Sequence, residues 1–270
     1  MRYPAVAGRF YPLQRDELYG QIEWCFDHPL GPGRIGGCSN ERRIKGALVP
    51  HAGYQCSGMN AAHAFKAIAE DGRPDAYVII GPDHHGVPFD VVMCSDSYLT
   101  PLGECKVHER IAAKLAQSIT DSPNAHRFEH SVEVEVPFLQ YIDPDARIVP
   151  VIMRRQDMDS AIRLGNRIRE ACEGYDVVVI ASSDMSHYIP KETAERLDMM
   201  LLDRAVSLDI PGMYDVIPRY DISACGYGPI AAMITATQPA EGTLLRHSDS
   251  WDSLSYMKES VVGYASAIFR

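Results

Sequence analysis

Asp176-Val177-Val178-Val179-Ile180-Ala181-Ser182-Ser183-Asp184-Met185-Ser186-His187 is the stretch on which the fold turns. After Asp176, five residues form an apolar, mostly β-branched run with no polar alternation. Such a run is a strand buried on both faces, the pattern of a mainly parallel sheet covered by helices. The polar residues that follow then lie beyond the carboxyl end of that strand, where ligands bind in open α/β sheets.

Working outward, the same grammar repeats. Gly46-Ala47-Leu48-Val49 runs into Pro50-His51-Ala52-Gly53-Tyr54, and Asp75-Ala76-Tyr77-Val78-Ile79-Ile80 into Gly81-Pro82-Asp83-His84-His85-Gly86. Further strands are predicted at 90–94, 147–153 and 261–268, with Pro150 suggesting a bulge or an edge position. Apolar spacing predicts helices over 15–26, 58–70, 106–118, 132–142, 157–173, 191–207 and 227–237. Ser131 is placed to cap the helix at 132. With no linker, repeat or low-complexity segment, residues 1–270 are expected to form one α/β domain.

The composition excludes several classes. The chain carries a formal net charge of −10, and no Lys/Arg cluster offers a basic face to nucleic acid. No apolar run is long enough to span a membrane. The N-terminus lacks an apolar signal segment, and the seven cysteines are odd in number and scattered, so reduced thiols and a cytoplasmic location are expected. Gly31-Pro32-Gly33-Arg34-Ile35-Gly36 matches the dinucleotide pattern but follows a helix and opens none, so it carries no nucleotide reading.

Three strands thus send His51, His84 and His187 to one rim of the sheet. One loop histidine is usually a solvated or hydrogen-bonded side chain. Three together point to a site, because imidazole is the commonest metal ligand and a base near neutral pH. His28, His63, His108, His126 and His247 lie on helices or polar loops and read as ordinary. Cys225, just before a helix start at Tyr227, is a fourth candidate, since a helix N-terminus lowers a thiol pKa. Glu129-His130-Ser131, followed by Glu133 and Glu135, is the last polar cluster; His130 either lines the pocket or stabilises the cap.

These segments carry a resemblance. Ala7-Gly8-Arg9-Phe10-Tyr11-Pro12, Pro50-His51-Ala52-Gly53-Tyr54, Gly81-Pro82-Asp83-His84-His85, Glu129-His130-Ser131 with Glu133, Ser182-Ser183-Asp184 with His187, and Cys225-Gly226 match, nearly end to end, the Memo family. Its prokaryotic members are often named component B of the AmmeMemoRadiSam system. The family is similar in fold to class III extradiol dioxygenases. The resemblance implies a three-layer α/β/α domain with a parallel or mixed sheet. It implies metal ligation by His51, His84 and Cys225, with His187 in the place of an acid/base histidine. Cys225 stands where the dioxygenases use a carboxylate, which favours Fe, Cu(I) or Zn.

Three functions follow as expectations. The first is a non-heme oxidoreductase, Fe(II) favoured, with catalytic His187, Cys225 and Asp184. Asp184 or Glu129 would orient a ligand, and His85, Asp83, Tyr54 and His130 would surround the pocket. The second is a non-catalytic module that binds metal, a small molecule, a peptide or other AmmeMemoRadiSam proteins. The third is a metal- or thiol-dependent hydrolase.

Overall fold

The computed structural model describes residues 1–270. The strands are β1 (Gly46–Val49), β2 (Ala76–Pro82), β3 (Val91–Met93), β4 (Tyr98–Thr100), β5 (Gly103–Val107), β6 (Thr120–Asp121), β7 (Arg147–Met153), β8 (Val177–Ser182), β9 (His187–Ile189), β10 (Gly242–Asp249) and β11 (Val261–Phe269). The helices are α1 (Arg15–Asp27), α2 (Tyr54–Asp71), α3 (Glu109–Leu115), α4 (Glu135–Ile142), α5 (Met158–Ala171), α6 (Lys191–Val206), α7 (Ile210–Tyr220), α8 (Tyr227–Thr237) and α9 (Ser250–Leu254).

The sheet is mixed, in the order β10-β11-β1-β8-β2-β7-β3-β6. Its centre, β1-β8-β2-β7, is parallel, as the unbroken apolar runs predict. Antiparallel β11 and β3 flank it. Helices α1, α2, α4 and α9 pack together on one side, and α5, α6, α7 and α8 on the other, giving the expected three-layer α/β/α domain. The β-branched interior of β2, β7 and β8 is almost wholly buried between those layers.

The register sets the site. Val49 pairs with Ser182, Ile80 with Ala181, and Pro82 with Met153, so the central strands end level with one another. The segments after β1, β2 and β8 therefore leave from one edge.

Several boundaries differ from the sequence expectation. Lys106 and Val107 belong to β5; helix α3 starts at Glu109, and His108 caps it by accepting from the Ile111 N–H. Helix α2 begins at Tyr54 rather than at 58. Helix α4 begins at Glu135, with Val134 as its N-cap. Ser131 is not that cap, because its hydroxyl donates to the Pro82 carbonyl, 2.9 Å away. Pro150 is neither at an edge nor in a bulge: it pairs in regular register with Ile79. Its carbonyl accepts from Cys94 on the other side, so its missing N–H faces the place where β5 leaves and β3 arrives. Strands β4, β5, β6, β9 and β10 and helices α7 and α9 were not anticipated.

Candidate metal centre

Gly81 and Gly226 let the site form. A Cβ on Gly81 would overlap the Ser131 side chain, and one on Gly226 the Ser182 carbonyl and the Ser183 side chain. Their absence lets the 129–131 and 225–226 segments lie directly against the ends of β2 and β8.

His51, His84 and Cys225 converge there. One ligand atom from each lies within 4.8 Å of the others, and His51 Nε2 is 3.3 Å from Cys225 Sγ. Bonds of about 2.0–2.3 Å to one tetrahedral ion put a nitrogen and a sulfur ligand about 3.5 Å apart, so the donor set fits a single ion in spacing and softness. Both imidazoles are anchored through Nδ1. His51 Nδ1 meets Ser182 Oγ at 2.7 Å, and His84 Nδ1 meets Glu129 Oε1 at 2.9 Å. Each Nε2 is thereby left for a ligand, the arrangement by which outer partners orient metal-binding histidines.

Glu129 is the organising carboxylate. It is buried, and besides the His84 ring it accepts from the backbone N–H groups of His84, His130 and Ser131. Burial alone would raise its pKa; the His84 hydrogen bond and charge and those N–H groups outweigh it and hold the carboxyl well below its usual range. Glu129, His84 and His130 also lie close enough to suggest a second ligand cluster. The Glu129 oxygens are already occupied by four donors, so the carboxylate serves as an anchor.

Electrostatics separate the imidazoles. Burial, then the neighbouring His84 and His130, keeps His51 well below the usual histidine pKa, hence neutral. Burial pulls His84 down too, but Glu129 reverses the sign and raises it. Burial takes His130 down to about 4, only partly opposed by Glu129. Burial lifts Asp184 to about 6, against the pull of His187 and of the His51 and Ala52 N–H groups. Cys225 departs from the helix-terminus expectation: burial and the Asp184 charge push its thiol up. The Asp184 N–H does point at the sulfur, at 3.3 Å.

The other expected residues fall around this core. Asp184 Oδ1 holds the His51 N–H at 2.9 Å, and Oδ2 lies 4.0 Å from His51 Nε2. His187 donates Nδ1–H to the Ser223 carbonyl at 2.9 Å, which leaves its Nε2 as an acceptor. His130 lies against both imidazoles, 4.5 Å from His84 and 5.4 Å from His51 between centroids. Asp83 ties the turn, accepting from the His85, Gly86 and Val87 N–H groups. His85 is exposed and turned toward Phe128. Tyr54 is buried, and its hydroxyl is taken up by the Val134 carbonyl.

Sequence reasoning missed Ser182, Gln156 and Ser223, and it placed Glu135 in a polar cluster without a role. Gln156 binds the Cys225 carbonyl and the Gly228 N–H, clamping the cysteine loop. Ser182 was visible as the first polar residue after a buried strand; Gln156 and Ser223 carried no local signal.

The Memo-like protein family model matches residues 2–268. A MEMO1 family protein of Methanopyrus kandleri is 42% identical over 284 residues, covering 100% of this chain and 99% of that one. One from Caldivirga maquilingensis is 41% identical, covering 99% and 98%. An uncharacterized Escherichia coli K12 protein of known crystal structure shares the fold, with a TM-score of 0.57 at 12% identity over 84% of this chain and all of that one. With the family pattern matched from one end to the other, the chain belongs to the Memo family.

Proposed function

We propose that His51, His84 and Cys225 form the metal centre of a non-heme oxidoreductase related to extradiol dioxygenases, with Fe(II) the favoured ion and Cu or Zn the alternatives. The observation that carries this reading is the convergence of two Nδ1-anchored imidazoles and one sulfur within 4.8 Å. A bound iron would supply one-electron chemistry and open positions for substrate and O2. The protein's own groups supply the rest. His187, with Nδ1–H fixed on Ser223, accepts a proton at Nε2 from a substrate hydroxyl and returns it later. Asp184 holds the backbone of His51 and presents Oδ2 beside the ring.

The test is the metal content of protein purified without oxygen and without an affinity-tag metal column. Near-stoichiometric iron or copper, lost in both His51→Ala and Cys225→Ser, is the expected result. A folded, metal-free wild type with no affinity for added Fe(II), Cu(I) or Zn(II) would overturn it.

A second reading rests on the surroundings. Exposed Phe128 and Tyr188 sit beside His85 and His187 and give the rim an aromatic surface. That surface suits a metal-binding module that holds a small molecule or peptide, or docks another AmmeMemoRadiSam protein, without turnover. It predicts metal binding with no oxygen uptake on any phenolic compound. A thiol-dependent hydrolase is less well supported, because without a metal beside it burial and the Asp184 charge disfavour the Cys225 thiolate.

A further inference from the structure

The hydroxyl of Ser182 has three partners: His51 Nδ1 at 2.7 Å, the Ser131 carbonyl at 2.7 Å and Glu135 Oε1 at 2.9 Å. A hydroxyl has one proton to give and two lone pairs. The Ser131 carbonyl can only accept, and in this fully buried spot Ser182 is its sole donor. It therefore takes the Ser182 proton. Were that proton turned toward Glu135 or His51, two oxygens would face each other at 2.7 Å with no hydrogen between them. The two remaining partners must both donate. His51 donates from Nδ1. A carboxylate has nothing to donate, so Glu135 must carry a proton on Oε1.

We propose that Glu135 is a neutral, hydrogen-bond-donating acid in the folded protein. With Ser182 it is a positioning residue that locks His51 as the Nδ1–H tautomer and aims its Nε2 lone pair at Cys225. Its surroundings agree. Glu135 is wholly buried, its Oε2 has no partner, and no Lys, Arg or His forms an ion pair with it. As a carboxylate it would be an unpaired buried charge, far costlier than one unpaired carbonyl oxygen of a neutral acid. Burial also pushes its carboxyl well above the usual range.

The metal-affinity arm of the test rests on the function proposed above; two other arms do not need metal. In metal-free protein, ¹⁵N NMR should show His51 protonated at Nδ1, and infrared spectra should show the C=O stretch of a protonated carboxylic acid that Glu135→Gln removes. Gln keeps a donor at the same place, so Glu135→Gln should retain the His51 tautomer, the melting temperature and the Zn(II) affinity. Glu135→Met removes the donor and should lower Zn(II) affinity by about tenfold or more, as loss of outer partners does. An Nε2–H tautomer in the wild type, no acid band, or Glu135→Gln behaving like Glu135→Met would overturn the proposal. If the wild type bound no metal, the NMR and infrared arms would still decide it.

Discussion

His126 shows how a histidine outside the pocket is tied to pH. It is fully buried, accepts from the Tyr98 hydroxyl at Nδ1 and donates from Nε2 to the Val92 carbonyl. Burial, with Arg2 nearby, takes its pKa down to about 4. An unfolded histidine titrates near 6.5, so between those values the unfolded chain binds more protons and acid favours unfolding. The His126 contribution should be fully present above pH ~6.5 and fall by on the order of 3 kcal/mol as pH drops toward 4. Urea melts across that range should show a shallower slope for His126→Gln than for the wild type, with the part due to buried His51 and His130 remaining. The ligand residues differ in legibility. His51 and His84 could be read from the sequence because each follows an apolar run. Their Nδ1 anchors, Ser182 and Glu129, come from a neighbouring strand end and from a loop 45 residues beyond His84. Such cross-chain partners leave no local pattern, which is also why Ser131 was misread as a cap.

At the scale of elements, the parallel centre of the sheet was legible because both faces are buried. Its antiparallel neighbours β3 and β11 were legible too, but the shorter and outer strands were not. Strand β10 is half-exposed, and a register shift between Leu244 and Arg246 breaks its alternation. Strands β4, β6 and β9 are three residues or fewer, and α7 contains Pro218. Helices α5 and α8 make a different kind of contact. A Cβ on Gly165 would come within 2.6 Å of the Ala232 carbonyl oxygen. Gly165→Ala gains about 1 kcal/mol of helix propensity, but overpacking costs about 1–3 kcal/mol and backbone cannot turn aside. Destabilisation should win in denaturant melts, while the proposed metal site, at the strand ends, keeps its wild-type affinity.

Across the whole molecule, the first residues reach the site through Arg2. Its guanidinium is buried against Glu133 and donates to the carbonyls of His126 and Glu129. Glu133 also gathers the Ala5 and Val6 N–H groups and the Tyr11 hydroxyl. That cluster holds the loop whose Phe10 packs edge-on to His130 at 4.9 Å. Arg2→Met leaves the Glu133 charge buried without its partner, a change worth about 3–5 kcal/mol. Calorimetry should record a fall in melting temperature on the order of 10 °C, and His130 should lose its fixed ring position.

The place of β11 has a consequence for synthesis. This strand, Val261–Phe269, lies between β1 and β10 rather than at the rim. While the chain is still being made, β1 shows an unpaired edge to its surroundings, and contacts spanning most of the chain must wait for the last strand. Such long-range pairing is slow to form and exposes nascent protein to clumping. Closing β11 against β1 is therefore a late step of folding, and β1 stays open to wrong pairing until it happens.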